Sequence, residues 1–219
     1  EQGPVLEDHD KTIGVVEGVL GIRWFDCTVT GMEAHAGPTP MALRKDAMLA
    51  ATRIMQDVVA AAHRHPPHGR GTVGMVQVFP NSRNVIPGRV KFSIDLRNST
   101  DELVDAMAAE VKAFADQVAK EHGVQVHIEM VSSYPAQLFQ PECVEAVGRA
   151  AAKLGYSHMP AVSGAGHDAV YMAKLAPSGM IFIPCKDGIS HNEIEDAKPE
   201  HIEAGCNVLL HAMLERAGT

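Results

Sequence analysis

Between Ile22 and Val131 the hydrophobic period switches from two to 3.6 and back, twice. That succession limits the possible folds more than any other feature of the chain. Ile22 to Val29 reads as a strand that ends at Thr30-Gly31. Asp46 then opens a helix on which Met48, Ala51, Met55, Val58 and Ala62 recur at helical spacing. His63, Arg64 and His65 complement its C-terminal dipole, and Pro66-Pro67 stops it. Val73 to Phe79 predicts the next strand, followed by the polar loop Asn81-Ser82-Arg83-Asn84. Val90, Phe92, Ile94 and Leu96 alternate with Lys91, Ser93, Asp95 and Arg97. Ser99-x-x-Glu102 has the form of a capping box. The helix behind it carries Leu103, Met107, Val111, Phe114 and Val118 on one stripe and closes at Gly123. Val124, Val126, Ile128 and Met130 alternate through a last strand. The order β-α-β-β-α-β is the ferredoxin-like arrangement, with two helices on one face of an antiparallel sheet and the other face open.

The flanks follow a different pattern. Ile13 to Leu20 predicts a strand, Glu142 to Leu154 a helix ended by Gly155, and Gly166-His167-Asp168 a short helix running to Leu175. Met180 to Ile183 predicts a short buried strand. Pro199 starts a final helix at its N1 position, with Ile202, Val208, Leu209 and Met213 facing inward. These pieces form a second α/β body that is thin and poor in strands. The expectation is an α/β (α+β) chain in which a domain of residues 21–133 is inserted between two pieces, 1–20 and 134–219, of an incomplete α/β domain. Its sheet would be completed by sequence lying before Glu1.

A net charge of −8 gives nucleic-acid binding no electrostatic support. No apolar run approaches the roughly 18 residues that span a membrane. Cys27, Cys143, Cys185 and Cys206 form no C-x-x-C pair, and they predict reduced, mostly buried thiols in a cytoplasmic protein.

Three histidines lie in loops rich in glycine or proline, where a titratable group is a stronger site candidate than on a solvated helix. They are His35 in Glu33-Ala34-His35-Ala36-Gly37-Pro38-Thr39-Pro40, His167 in Ser163-Gly164-Ala165-Gly166-His167-Asp168, and His191 in Ser190-His191-Asn192-Glu193. His191 follows a buried strand, so it reads either as a metal ligand or as a capping or surface residue. Gly166-His167-Asp168 reads either as an anion-binding turn or as an N-cap aspartate behind a glycine hinge. A Ser163–His167–Asp168 triad is a poor reading, because no G-x-S-x-G elbow exists. Arg97 with Asn84 would suit a substrate carboxylate, and a sheet-face ion pair from Arg97 to Asp95 is the other reading.

Taken together, Glu1-Gln2-Gly3-Pro4-Val5-Leu6-Glu7, the His35 loop through Met41, Asn84-Val85-Ile86-Pro87-Gly88, Asp95-Leu96-Arg97, Ser163 through Ala169 and Ser190-His191-Asn192-Glu193 occur in an order that resembles the N-carbamoyl-L-amino-acid hydrolase, β-ureidopropionase and allantoate amidohydrolase family. That family belongs to the aminoacylase and carboxypeptidase clan of two-metal hydrolases. The resemblance implies a catalytic α/β domain holding two divalent ions (zinc, manganese, cobalt or nickel) and a smaller inserted lid domain, residues 21–133, that makes a homodimer. It implies hydrolysis of the carbamoyl C–N bond of a small N-carbamoyl or ureido acid. Residue by residue, it implies that His35 stabilises the oxyanion in a neighbouring subunit's site and that Gln2 lies near the carbamoyl group. Asn84 and Arg97 would hold the carboxylate, Gly166 and His167 would close around the substrate, and His191 would be the last metal ligand. The family's other metal ligands and its general base precede the segment matching Glu1. The expectation is therefore a C-terminal portion that is inactive alone. The rival readings are an N-acyl amino acid deacylase or metallopeptidase of the same clan, and an inactive dimerisation module.

Overall fold

The computed structural model describes residues 1–218 and is mixed α/β. In chain order the elements are α1 (Val5–Asp8), β1 (Ile13–Val19), β2 (Gly21–Thr30), β3 (Ala34–His35), α2 (Ala47–Arg64), β4 (Arg70–Thr72), β5 (Val76–Phe79), β6 (Val85–Ile86), β7 (Arg89–Asn98) and α3 (Asp101–His122). They continue with β8 (Gln125–Tyr134), β9 (Gln137–Leu138), α4 (Pro141–Lys153), β10 (His158–Ser163), α5 (Asp168–Met172), β11 (Met180–Phe182) and α6 (Pro199–Ala217). The chain divides into two compact units: Glu1–Leu20 with the segment from Gln137 onward, and Gly21–Ala136.

In the Gly21–Ala136 unit the sheet order is β4-β7-β2-β8, with β5 continuing along β7, and every pairing is antiparallel. Cys27, Val29, Val90, Phe92, Ile94 and Leu96 point from the sheet into a core closed by α2 and α3. Alternation puts these residues on one face of their strands. From α2 the buried residues are Ala47, Ala50, Ala51, Ile54, Val58 and Ala61. Of the expected stripe Ala51 and Val58 are buried, whereas Met48, Met55 and Ala62 lie at the core margin, because the alanines let α2 approach the sheet closely. Gly71 in β4 shows how closely: a Cβ there would run into the Val58 carbonyl oxygen.

Of the strand expected over 73–79 only β5, Val76–Phe79, forms, and β4, Arg70–Thr72, precedes it as a strand the sequence did not announce. The N-cap of α3 is Thr100, whose hydroxyl accepts from the Leu103 amide, and not Ser99. Ser99 instead donates its amide to Asn98 Oδ1 at 2.7 Å, so the capping box does not form. Val104 and Ala115 replace Leu103 and Phe114 in the buried stripe of α3. In β8 the register slips opposite Trp24 and Phe25, which pair with Ser132 and Met130. Val131 is the extra residue, and Met130 is turned outward. Arg23, on the helix face of β2, is buried and donates to Asp105 at 2.8 Å, Asp101 at 3.1 Å and the Tyr134 carbonyl at 3.1 Å.

In the other unit the sheet order is β10-β1-β11, and β9 pairs with the end of β1. β1 and β10 run parallel, from Ile13↔His158 to Val19↔Ser163. β10 escaped the sequence reading because Pro160 interrupts it; as an edge strand it tolerates a residue without an amide hydrogen. Ile13 and Val15 pack with Ala146, Val147, Ala150, Ala151, Ala204, Val208 and Ala212 of α4 and α6. Val16 and Val19 face the opposite side, with Leu6, Phe139 and Phe182. On α6 the small residues therefore face inward, whereas Ile202, Leu209 and Met213, expected inside, are exposed. All four cysteines are free, but only Cys27 is buried, so the expectation of mostly buried thiols is corrected. Among the described residues no helix is long and apolar enough to cross a membrane.

Candidate functional site

In the Gly21–Ala136 unit, β3 and β6 form a two-residue ribbon that pairs Ala34 with Ile86 and His35 with Val85. The Ala36 amide extends it by donating to the Asn84 carbonyl at 2.8 Å. His35 and Asn84 thus sit on one small platform. The Gly37 amide donates to Nδ1 of His35 at 3.0 Å. A backbone N–H can only donate, so Nδ1 is the acceptor, and the neutral ring carries its proton on Nε2. Thr39 Oγ1 donates to the His35 carbonyl at 2.6 Å. Arg44 donates to the carbonyls of Ala36 at 2.6 Å and Thr39 at 3.1 Å. The exposed His35 ring therefore projects from a loop tied at several points. Ser82 Oγ donates to Asn84 Oδ1 at 3.0 Å, which leaves the Asn84 amide nitrogen as its donor end.

Arg97 lies near the far end of β7, on the open face of the sheet. Its fork grips Asp95, with Nε–Oδ1 at 2.9 Å and Nη2–Oδ2 at 2.6 Å. The sheet-face ion pair that competed with substrate binding in the sequence reading is present here. Arg97 is eight positions along β7 from Arg89, the first residue after the turn that follows β6. At ~3.3 Å per residue that is roughly 26 Å. The structure does not bring Arg97 to His35 and Asn84 within one chain.

In the other unit, Glu1 Oε1 meets His191 Nε2 at 2.5 Å, and this bond holds the Glu1 carboxyl below its ordinary range. His191 sits in the left-handed region at φ 56°, which costs a non-glycine residue of order 1 kcal/mol. Its amide donates to Glu195 Oε2 at 3.2 Å, and its side chain is 82% exposed. Gly188, at φ 62°, brings this loop against the N-terminal turn; a Cβ there would collide with the Gly3–Pro4 peptide. Gln2 is buried, and its Oε1 accepts from the Leu6 amide at 3.1 Å. Among the described residues its Nε2 is buried without an acceptor. A buried unsatisfied amide is costly, so this N–H is available to a water or to a ligand's acceptor.

His167 precedes α5, and its Nε2 lies 2.7 Å from Ser163 Oγ. Ser163 also accepts from the Ala165 amide at 3.1 Å. The imidazole leans on Phe182 with ring centroids 5.8 Å apart, and burial pushes its pKa below the ordinary value. Among the described residues no hydrogen bond joins Asp168 to His167, so the Ser163–His167 pair lacks an orienting third member. Gly166 is exposed, with open space around it.

Among the described residues no three His, Cys, Asp or Glu side chains come together as a metal-binding group. Glu1 and His191 are two oxygen and nitrogen donors and do not fit a complete centre alone. The sequence reading missed Glu1 as the partner of His191 and Arg44 as the tie of the His35 loop; Ser163 it had weighed beside His167 only as part of a triad with Asp168, and the Ser163–His167 bond forms without Asp168. Ser163 stood four residues before His167 in a glycine-rich turn, a usable signal. Nothing in the local pattern marks Arg44, because its bonds go to backbone carbonyls.

The chain matches the model of peptidase family M20/M25/M40 over residues 1–215. It is 48% identical over 217 residues to the N-carbamoyl-L-amino-acid amidohydrolase of Rhizobium meliloti, covering 99% of this chain and 52% of that protein. It is 31% identical over 217 residues to the allantoate amidohydrolase of Bacillus subtilis (strain 168), covering 99% of this chain and 53% of that protein. The crystal structure of an amidase of the hydantoinase/carbamoylase family from Burkholderia multivorans superposes with a TM-score of 0.97 at 54% identity, covering 99% of this chain and 53% of that one. The chain spans about half the length of the curated relatives it matches.

Proposed function

The chain belongs to peptidase family M20/M25/M40, and on that premise we propose that it is the C-terminal portion of a metal-dependent amidohydrolase. The reaction is cleavage of the carbamoyl C–N bond of an N-carbamoyl-L-amino acid or related ureido acid. The observation that carries this reading is the likeness to the Rhizobium meliloti protein, which runs through both units and every loop named above.

Within the reading, His35 donates Nε2–H to the oxyanion that develops on the carbamoyl carbon. Such donors act by being aimed in advance, and loss of one typically costs roughly 2.7–4 kcal/mol of barrier. Asn84 offers its amide hydrogens, and Arg97 its guanidinium, to the substrate carboxylate. Arg97 then exchanges part of its grip on Asp95 for the ligand. The orphaned Gln2 Nε2 donates to the carbamoyl oxygen, and the Gly166–His167 loop closes over the substrate. His191 contributes one ligand to a divalent-metal centre whose other ligands lie outside this chain, and Glu1 yields it when that centre forms. When bound, such a centre supplies an activated water.

The separation along β7 supports a homodimer through the Gly21–Ala136 unit. Arg97 and the His35–Asn84 platform can address one ligand only if they come from different copies. This unit is then the lid, and the unit formed by Glu1–Leu20 with the segment from Gln137 onward is the catalytic part.

The test is steady-state hydrolysis by the full-length protein of an N-carbamoyl-L-amino acid, the matching N-acetyl amino acid and a dipeptide. The carbamoyl compound has the highest kcat/KM. A preference for the acetyl compound or the dipeptide would move the protein to the deacylase or peptidase branch of the family.

A further inference from the structure

We propose that Arg44 is a positioning residue that fixes the tautomer of His35 through one peptide plane. The Ala36 carbonyl and the Gly37 amide belong to the same peptide group, and that group is trans. In a planar trans peptide the C=O and N–H point to opposite sides. Arg44 Nη2 holds the oxygen on one side at 2.6 Å. The amide on the other side is thereby aimed at Nδ1 of His35, 3.0 Å away. The second bond from Arg44, to the Thr39 carbonyl at 3.1 Å, keeps the guanidinium from swinging away.

Two physical effects act in the same direction. The plane cannot rotate without breaking a charge-assisted bond, which is about twice as strong as a neutral one. The cation also polarises the peptide and makes the Gly37 N–H a better donor. Nδ1 is therefore kept as an acceptor, and Nε2 carries the proton. Gly37 permits the geometry: a Cβ would lie only 3.3 Å from Cε1 and 3.4 Å from Nδ1 of the ring. Thr39 Oγ1 anchors the His35 carbonyl separately, so it holds the loop without touching the plane. This assignment rests on His35 serving as the oxyanion donor proposed above, because that role needs Nε2–H.

The test uses the chain labelled with ¹⁵N at a pH where His35 is neutral. Three quantities are read: the scalar coupling across the hydrogen bond from the Gly37 nitrogen to His35 Nδ1, the ring tautomer, and the exchange rate of the Gly37 amide. The wild-type chain shows the coupling and a single Nε2–H tautomer. Arg44→Met loses the coupling, shows a mixture of tautomers, and exchanges the Gly37 amide about tenfold faster or more. Thr39→Val keeps the coupling and the single tautomer. Arg44→Lys, which keeps the charge but reaches one carbonyl at most, gives an intermediate exchange rate and serves if Arg44→Met does not fold. A folded Arg44→Met chain that retains the coupling and one tautomer overturns the proposal, as does an Arg44→Lys chain whose Gly37 amide exchanges at the wild-type rate, or a wild-type chain without the coupling. None of these readings involves turnover, so their failure and the failure of the amidohydrolase reading are separate results. In the full-length protein Arg44→Lys lowers kcat and leaves KM in place.

Discussion

His35 stands on the separate two-stranded ribbon that leads into β7, and Arg97 lies eight residues along that strand from Arg89. A small ligand cannot touch both within one chain.

Full-length His35→Ala and Arg97→Ala subunits, each inactive alone, recover activity when unfolded and refolded together. In the mixed dimer one site carries both defects and the other carries neither. With random pairing about a quarter of the sites are intact. Absence of recovery, with mixed dimers demonstrated by mass, would show that both residues serve the same copy.

The unit containing His167 loses stability in acid. Burial lowers the pKa of His167 from 6.5, so between 6.5 and the folded value the unfolded chain binds more protons than the folded one. Stability from this group is full above 6.5 and declines as pH falls below it. Urea midpoints of the wild type and of His167→Gln, measured from pH 7.5 to 5, check this. The variant has the shallower pH dependence, and equal slopes would remove the effect.

Thiol labelling separates the cysteines by burial. Burial pushes the Cys27 thiol up to about 12, and the residue has no exposed surface, so its reactive thiolate is scarce and unreachable. Cys206 on α6 is exposed. Mass spectrometry after brief treatment with iodoacetamide finds Cys206 modified and Cys27 intact until denaturant is added. Early modification of Cys27 would mean that the β2 core opens readily.

Arg23→Met destabilises the Gly21–Ala136 unit. Arg23 is nine-tenths buried and joins β2 to Asp101 and Asp105 of α3 and to the last residue of β8. The two aspartates are roughly half exposed and can rehydrate, so the loss is about 2 kcal/mol, below the range for fully buried pairs. Chemical denaturation of the chain gives the value, and a change under 0.5 kcal/mol would assign the fold at this point to packing alone.

Gly71→Ala has a comparable effect by a different route. The added methyl meets the Val58 carbonyl oxygen, a backbone atom inside α2, and neither side can step away cheaply. The melting temperature falls, and the Gly71→Ala chain is rescued by no substitution of the Val58 side chain.

The alternation of Val90, Phe92, Ile94 and Leu96, the Pro199 start of α6 and the Gly123 stop of α3 were legible because each is a local rule: a period, a fixed φ, a residue without a Cβ. The loops bearing His35, His167 and His191 were legible for the same reason. Local rules failed where the choice lay between neighbouring partners. Thr100 took the N-cap because Asn98 engaged the Ser99 amide. Val131 became the bulge where the β8 register slips against Trp24 and Phe25 of β2, a pairing no local pattern announces. Alanines, not leucines or methionines, faced inward on α2 and α6 because helices lie close only where side chains are small. The partners of the site residues belonged wholly to the tertiary structure. Glu1 reached His191 across 190 positions, Arg97 closed on Asp95 rather than pointing away, and Arg44 reached two carbonyls that carry no mark in the sequence. Sequence determined which groups this chain possesses and which turns hold them. Only packing decided which atoms meet, because a hydrogen bond depends on position in space, and backbone acceptors are the same at every residue.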